Sequence, residues 1–405
     1  MAVLRRGGSA VDAAVAVQAV LGLVEPQSSG LGGGAFMMYF DAATGEVTAY
    51  DGRETAPASA TPRLFYENGK PLSFGEAVLS GRSTGVPGVV AMLGQAQQDH
   101  GTLAWSTLFG DAEALARDGF IVSPRLAGMI ADPGPKAHTP WVEAYFTRAD
   151  GGRYVAGDRL RNPAYAQTLD RIATGGAAAF YRGPIAEGIA ATVAEQPRPG
   201  GLTPADIAGY AAIERGALCR PYRVYVICVP PPPSSGVALL QLLAMAEQTP
   251  AIDGGPYSAA AWTAFAQLQR LMYADRNRYV GDPAYVGVPV AGLLDPGYVA
   301  ARAALAPDLT GAATAGTPPG GVFQAPDATA EPAGTSHFVI VDAAGNAVSM
   351  TTTVESVFGS GRMSGGFFLN NQLTDFSFDP DRADGGPAAN AVAAGKRPRS
   401  SMSPV

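Results

Sequence analysis

Two threonines at the ends of a predicted β-hairpin could act together in catalysis. Thr335 begins a run of apolar and β-branched residues, a second such run ends at Thr353, and a short loop at 343–345 with glycine last joins them. This pattern is typical of a hairpin closed by a type I turn and one left-handed residue, a conformation that glycine adopts at little cost. If Asp342 opposes Asn346, antiparallel pairing puts Thr335 directly across from Thr353, on one face and within hydrogen-bond reach.

The chemistry that such a pair suggests is nucleophilic. Cleavage between Gly334 and Thr335 would free an α-amine beside the Thr335 hydroxyl, and a base next to a hydroxyl is what activates a weak nucleophile. The alternative is that threonines are simply common in β-strands. The hairpin taken alone favours this alternative, so the decision depends on the rest of the chain.

Several motifs along the chain decide in favour of the nucleophile. They lie at 27–36, 51–57, 231–236, 354–361, 367–376 and 396–404. Together and in this order they resemble the gamma-glutamyltranspeptidase family of N-terminal nucleophile hydrolases, over essentially the whole chain.

The resemblance implies an α/β (α+β) fold, a four-layer αββα sandwich that would be incomplete at both ends here. Residues 1–334 would be the large-subunit portion and 335–405 the start of a small subunit, both intertwined in one sandwich domain. Within the first portion, 306–334 is rich in Ala, Gly, Pro and Thr and is expected to be mobile ahead of the processing site. Independently, the sequence predicts a buried helix at 8–24 capped by Ser9, then a strand-turn-strand at 35–50.

The resemblance also implies the activity: transfer and hydrolysis of γ-glutamyl groups, from glutathione and other γ-glutamyl amides, after self-cleavage at Gly334–Thr335. Thr335 would be the nucleophile and Thr353 the hydroxyl that supports it. The implied partners are γ-glutamyl substrates, amine or peptide acceptors and the chain's own two cleaved portions. No cofactor or metal is expected.

A γ-glutamyl group ends in a zwitterion, so its site needs donors for a carboxylate and acceptors for an ammonium. The resemblance assigns the carboxylate to Arg53, Ser400 and Ser401, and the ammonium to Gln372 and Asp375. A sixth residue, Glu355, stands where some relatives have Asn and others Glu, and is implied near the ammonium. Read in isolation, Arg53 would be half of a solvated surface ion pair and Asp375 a turn residue.

Composition bounds these interpretations. The chain has 405 residues, 47% of them hydrophobic and 16% charged, which suffices for a large core. The formal net charge is −7 and basic residues do not cluster, so nucleic acid is not an expected partner. No apolar run is long enough to predict a membrane span.

The two cysteines, Cys219 and Cys228, flank what reads as one strand over 222–229. Nine residues of extended chain span about 30 Å, too far for a disulfide unless the chain turns sharply after Cys219. The sequence therefore predicts two free, mostly buried thiols.

Both ends invite comparison with the family. No signal peptide precedes the first helix, although the resemblance favours a periplasmic or extracellular location. Family members continue beyond Val405 through further strands and a glycine pair that forms the oxyanion hole, so we expect this chain alone to have an empty oxyanion position and an open sheet edge. The loop 376–395 is short and has no tyrosine, which resembles members without a lid.

Two other functions remain open at this point. One is an acylase of the same superfamily acting on glutaryl side chains of β-lactams, which would leave Glu355 and Asp375 without a cation to bind. The other is a non-catalytic fragment that neither matures nor turns over substrate.

Overall fold

The computed structural model describes residues 1–132, 134, 136, 139–322, 324–325, 327, 329, 334–379 and 386–405. The α-helices are α1 Ala2–Arg5, α2 Ala10–Val24, α3 Phe74–Val78, α4 Val89–His100, α5 Gly110–Asp118, α6 Pro124–Ala131, α7 Pro140–Phe146, α8 Pro163–Gly175, α9 Ala178–Tyr181, α10 Pro184–Val193, α11 Pro204–Ala208, α12 Gly236–Glu247, α13 Ala259–Tyr279, α14 Val290–Leu293 and α15 Pro296–Ala304. The strands are β1 Gly34–Phe40, β2 Val47–Gly52, β3 Tyr66–Glu67, β4 Lys70–Pro71, β5 Phe120–Ile121, β6 Arg159–Leu160, β7 Ile213–Gly216, β8 Leu218–Tyr222, β9 Tyr225–Val229, β10 Thr335–Val341, β11 Ala347–Thr353, β12 Met363–Ser364 and β13 Phe367–Phe368.

A five-stranded antiparallel sheet carries the candidate nucleophile, in the strand order β10-β11-β1-β2-β7. Thr335 opposes Thr353 in this register. The connecting turn is closed by a hydrogen bond from the Asp342 N–H to the Asn346 carbonyl, and Gly345 has φ +88°. The predicted hairpin and its register are therefore confirmed.

Helices cover one face of this sheet. The predicted first helix is confirmed as α2, and Ser9 caps it by accepting from the Asp12 N–H while the Asp12 side chain accepts from the Ser9 N–H. α2 packs on β10 and β11, and α4 packs on β1 and β2. Val348 and Met350 of β11 are completely buried in this core. On the opposite face of β10, Thr335 and the following alternate residues are exposed.

A second group of helices forms its own core away from the sheet. α12 packs against α13 and α15, and their apolar residues make a separate cluster. We call these three helices the helical lobe. The sequence just before α12 and the C-terminal half of α13 face the segment 400–402 that follows the sheet region.

The mixed α/β fold class is confirmed. Besides the five-stranded sheet, every sheet within the described ranges has two strands, so the four-layer arrangement stays a prediction. The division at Gly334–Thr335 is likewise still a prediction. The expected mobility of 306–334, and the comparison of loop 376–395 with a lid, fall partly outside the described residues.

The prediction of two free thiols is wrong. Cys219 and Cys228 form a disulfide, with their Cα atoms 4.1 Å apart. The supposed single strand is in fact two, because the chain reverses around Arg223, which has φ +54°. The pairing of β8 with β9 puts the two cysteines directly opposite each other, so the distance along an extended chain was the wrong measure.

The disulfide should hold this hairpin locally. In a chain-entropy model a loop of this length contributes about 2–3 kcal/mol. We expect a variant with both cysteines changed to serine to exchange its backbone amides faster over 218–229 and not in β10 or β11. Hydrogen-exchange mass spectrometry measures this, and an unchanged exchange rate in the hairpin would contradict the expected role.

Candidate active site

A cavity of about 460 Å³ lies at the start of β10. Its walls come from four parts of the chain: α13, the ends of β10 and β11, the 355–375 region, and the segment after Arg399. The lining residues are Tyr273, Gly334, Thr335, Thr351, Thr353, Glu355, Gln372, Asp375, Ser400, Ser401, Met402 and Ser403. Gly334 and seven other predicted site residues therefore line one cavity. Arg53 is the predicted site residue that does not line it.

The Thr353 hydroxyl is the most constrained group in the cavity. Its oxygen accepts from the Glu355 N–H at 2.8 Å and it donates to the Gly334 carbonyl at 2.8 Å. The Thr335 hydroxyl lies 3.5 Å from the Thr353 oxygen, a long contact. Because a backbone N–H fixes the oxygen, the Thr353 proton is directed at the carbonyl of the peptide bond that precedes Thr335.

The backbone around this contact leaves no room for a side chain at Gly334. A Cβ there would lie 2.5 Å from the Glu355 carbonyl oxygen. Glu355 itself adopts φ +81°, in the left-handed region that costs a non-glycine residue free energy. The turn after β11 therefore brings the 355 backbone close to the junction and needs glycine at 334.

Glu355 is a buried carboxyl held by its neighbours. It accepts from the Ser356 hydroxyl and from the Asn371 side-chain amide, each at 2.6 Å. Burial, reinforced by the charge of Asp375, raises the pKa of Glu355 to about 8. Nearby, burial lowers the pKa of the Lys136 ammonium to about 7 against the attraction of Glu355.

Gln372 and Asp375 form the adjacent wall. The Gln372 side-chain N–H donates to Asp375 at 2.9 Å. The other Gln372 atom, Oε1, is buried and has no hydrogen-bond partner among the described residues. An unpartnered buried acceptor beside two carboxyl groups is suited to a ligand that brings hydrogen-bond donors.

Arg53 lies behind this wall and does not line the cavity. It is completely buried. Its guanidinium donates to Asp375 at 2.5 Å, to the Pro398 carbonyl at 3.1 Å and to the Arg399 carbonyl at 2.7 Å. The solvated surface ion pair considered for Arg53 is therefore wrong in its exposure, because the guanidinium lies 3.8 Å from the Glu54 carboxyl but both side chains are buried. Its neighbour Glu54 is also buried, and burial raises the pKa of that carboxyl to about 8 against the opposing charge of Arg53.

The serine pair is held by a second network. Ser400 is buried, and its hydroxyl accepts from the Met402 N–H at 3.1 Å. Its carbonyl accepts from the Ser235 hydroxyl at 2.6 Å, and the Ser234 hydroxyl donates to the Met402 carbonyl at 2.7 Å. The motif at 231–236 thus buttresses the serine pair, a role that sequence reasoning did not assign although it had singled out the motif.

Sequence reasoning also missed Tyr273, which α13 brings to the cavity. Nothing in its local pattern marks it, because only the packing of the helical lobe puts this face of α13 beside Ser401. His337, on the exposed face of β10, has its Nδ1 2.9 Å from the Thr351 hydroxyl.

In the part of the chain that the structure describes, no group of three or more potential metal ligands converges. Nor do any of the described helices combine the length and apolarity needed to cross a bilayer.

A threonine at the first position of an edge strand, facing a second hydroxyl in a polar cavity, matches the arrangement expected of an N-terminal nucleophile hydrolase. The family model described as Gamma-glutamyltranspeptidase matches residues 1–405, and the chain belongs to this family.

Relatives and solved structures agree with this assignment. The chain is 38% identical over 419 residues to a "Glutathione hydrolase proenzyme" of Bacillus subtilis strain 168, covering all of this chain and 69% of that protein. A crystal structure of the Helicobacter pylori gamma-glutamyltranspeptidase superposes with a TM-score of 0.70 at 33% identity, over 75% of this chain and 86% of that one. A cephalosporin acylase from Bacillus halodurans superposes with a TM-score of 0.81 at 26% identity, over 99% and 71%.

The buried position of Arg53 predicts a stability cost that a surface residue would not have. Arg53→Lys keeps the charge but cannot reach three acceptors in a fixed fork. We expect the free energy of unfolding to fall by about 2–4 kcal/mol. Arg223→Lys is the control, since Arg223 pairs with Asp253 at the surface, and should change stability by less than about 1 kcal/mol. Equal effects of the two substitutions in denaturant titrations would contradict this placement.

Proposed function

We propose that this chain is the nucleophile-bearing part of an enzyme that matures by cleaving itself between Gly334 and Thr335, and then transfers or hydrolyses γ-glutamyl groups through Thr335. The observation that carries the proposal is the Thr353 hydroxyl, which donates to the Gly334 carbonyl and lies beside the Thr335 hydroxyl. It is supported by the surrounding cavity, which presents carboxyl groups and hydroxyls together.

In the first reaction, the Thr335 hydroxyl oxygen attacks the carbonyl carbon of Gly334. The bond to the Thr335 nitrogen breaks, an ester forms to the Thr335 oxygen, and the nitrogen takes up the proton lost by the hydroxyl to become a free α-amine. Water then hydrolyses the ester, leaving a carboxylate on Gly334. The Thr353 proton stabilises the negative charge that develops on the Gly334 oxygen during the attack, which is the role of an oxyanion donor.

In the second reaction, the freed α-amine takes the proton from the Thr335 hydroxyl, which attacks the γ-amide carbonyl of the substrate. The reference pKa of an α-amine, about 7.7–8.0, suits it to this role near neutral pH. The substrate's amine leaves with a proton, and the γ-glutamyl group remains as an ester on Thr335. Water or an amine acceptor resolves this ester. The oxyanion donors for this second reaction stay a prediction.

Recognition of the zwitterion follows from the walls of the cavity. Glu355, Asp375 and the unpartnered Oε1 of Gln372 would accept hydrogen bonds from the α-ammonium. Ser400 and Ser401 would donate to the α-carboxylate. Arg53 contributes from behind, because the Asp375 carboxyl and the main chain at 398–399 both depend on its guanidinium.

The structural likeness to a cephalosporin acylase raises a second candidate, an acylase acting on glutaryl amides. A glutaryl group has no α-ammonium, so binding it would leave a buried, partly charged acidic wall without its counterion, which is costly. The acidic wall therefore favours γ-glutamyl amides.

The proposal predicts that maturation and turnover depend on one hydroxyl. In the full-length protein, Thr335→Ala should remain a single chain and release no nitroaniline from γ-glutamyl-p-nitroanilide. Ser336→Ala is the matched control, since Ser336 is a neighbouring hydroxyl on the opposite face of β10, and should be cleaved normally. Intact-mass spectrometry gives the chain masses and absorbance gives the turnover.

Two outcomes would oppose the proposal. Two chains of the expected masses from Thr335→Ala would exclude self-cleavage by Thr335. Faster turnover of glutaryl-p-nitroanilide than of γ-glutamyl-p-nitroanilide by the mature parent would favour the acylase.

The raised pKa of Glu355 predicts that binding of glutamate to the mature enzyme strengthens with pH. Because its pKa is about 8, the empty site holds a proton at lower pH, and an ammonium ligand must displace it. The association constant should rise between pH 6 and pH 8, by up to about tenfold per pH unit. Calorimetry separates this from titration of the Thr335 amine, which governs turnover.

Glu355→Gln removes the carboxyl that titrates, so the glutamate affinity of this variant should be weaker than the parent's at pH 8 and nearly constant between pH 6 and pH 8. A pH-independent affinity in the parent would contradict the assignment of Glu355 to the ammonium.

The raised pKa of Glu355 also affects folding stability. A carboxyl whose pKa is raised above its ordinary 4.5 favours folding at low pH, and this contribution is lost as pH rises through about 8.

A further inference from the structure

The arginine at position 276 reaches the serine pair from the helical lobe. Arg276 lies near the C-terminal end of α13 and is only 3% exposed. It does not line the cavity, but Tyr273, one turn earlier on the same helix, does. The guanidinium carbon lies 5.7 Å from the centre of the Tyr273 ring. Arg276 therefore stands directly behind one wall of the cavity.

The Arg276 guanidinium contacts two serines, Ser235 and Ser401. The Nε–H donates to the Ser235 hydroxyl at 2.8 Å, and an Nη2–H donates to the Ser401 hydroxyl at 2.7 Å. Ser235 in turn donates to the Ser400 carbonyl at 2.6 Å. One guanidinium thus fixes the Ser401 side chain directly and the Ser400 main chain through a single intermediate.

These contacts have a directional consequence. A hydroxyl that accepts from a guanidinium must point its own hydrogen away from that guanidinium. Arg276 therefore determines the half-space into which Ser401 can donate. Charge-assisted hydrogen bonds of this length are the stronger class, so the orientation is well held.

We infer that Arg276 is a positioning residue that sets the serine pair for the α-carboxylate of the γ-glutamyl donor. The inference rests on the proposed function. It adds that the helical lobe, through α13, helps to select the γ-glutamyl substrate. Arg276 touches no reacting atom, so its loss should impair recognition of the carboxylate and leave the chemistry at Thr335 intact. A purely structural role would instead impair all substrates alike.

The test compares two nitroanilides that differ by one group. γ-Glutamyl-p-nitroanilide carries the α-carboxylate, whereas 4-aminobutanoyl-p-nitroanilide retains the amine and lacks the carboxylate. In the mature full-length enzyme, Arg276→Gln should raise KM for the first about tenfold, with kcat changed less than about twofold. The kcat/KM for the second should stay within about twofold of the parent.

Two further variants sharpen the test. Arg276→Lys keeps the charge but cannot bridge two fixed hydroxyls. Its KM for γ-glutamyl-p-nitroanilide should therefore lie between that of the parent and that of Arg276→Gln. Arg302→Lys is the matched control, because Arg302 is a buried arginine of the same lobe that binds Asp275 and the main chain away from the cavity. It should lower thermal stability without changing the preference for the carboxylate.

The outcomes are separable. If the parent turns over γ-glutamyl-p-nitroanilide but Arg276→Gln keeps the parent's ratio of the two substrates, this inference is overturned and the proposed function stands. An equal loss for both substrates, matched by Arg302→Lys, also overturns it, since it indicates a structural role. If the parent's turnover of γ-glutamyl-p-nitroanilide is absent or does not depend on Thr335, the proposed function is overturned, and this inference is overturned with it.

Discussion

Antiparallel pairing between β10 and β11 fixes the relation on which the rest of the site depends. Because Thr335 opposes Thr353, the Thr353 hydroxyl comes within reach of both the Gly334 carbonyl and the Thr335 hydroxyl. A shift of the register by one residue would turn one of these side chains into the helix-covered core. The buried face of β11, packed on α2, prevents that shift.

The second dependence is the buried guanidinium of Arg53. It joins Asp375 of the acidic wall to the main chain just before the serine pair. The two halves of the proposed zwitterion site are therefore mechanically connected through one side chain. A change that moves one half of the site should therefore also move the other. The buried Arg53 guanidinium thus helps to set the distance between the ammonium and carboxylate sites.

The sequence allowed local features to be predicted where a short pattern determines the geometry. The hairpin register follows from a turn glycine and alternating residues, and the first helix from its cap and apolar content. The disulfide was mispredicted because a turn at Arg223, which is not glycine, interrupts what reads as one strand. The run of aromatic and β-branched residues over 224–229 hid the turn, because it reads as the continuation of one strand.

Long-range features were harder. The family motifs brought Glu355, Asp375 and Ser400 into one expected site, and all three line one cavity. Arg53 was expected at the surface of the site, and only the packing of 398–399 over it shows that it is enclosed. Tyr273 and Arg276 could not be found at all, because their roles depend on how α13 of the helical lobe packs against the segment 400–402, and no local pattern encodes that.

The hydrogen bond from Thr353 to the Gly334 carbonyl also sets an order of events. Gly334 is itself part of the cavity wall, so in the uncut chain the polypeptide occupies space and a donor that a bound amide would need. The same hydroxyl would thus serve first the protein's own backbone and then a foreign one. Under the proposed reaction, the precursor therefore carries its own intramolecular competitor for the site. The cleavage that creates the nucleophile also removes this competitor. An uncut molecule should therefore have no activity on other amides while the protein is being made.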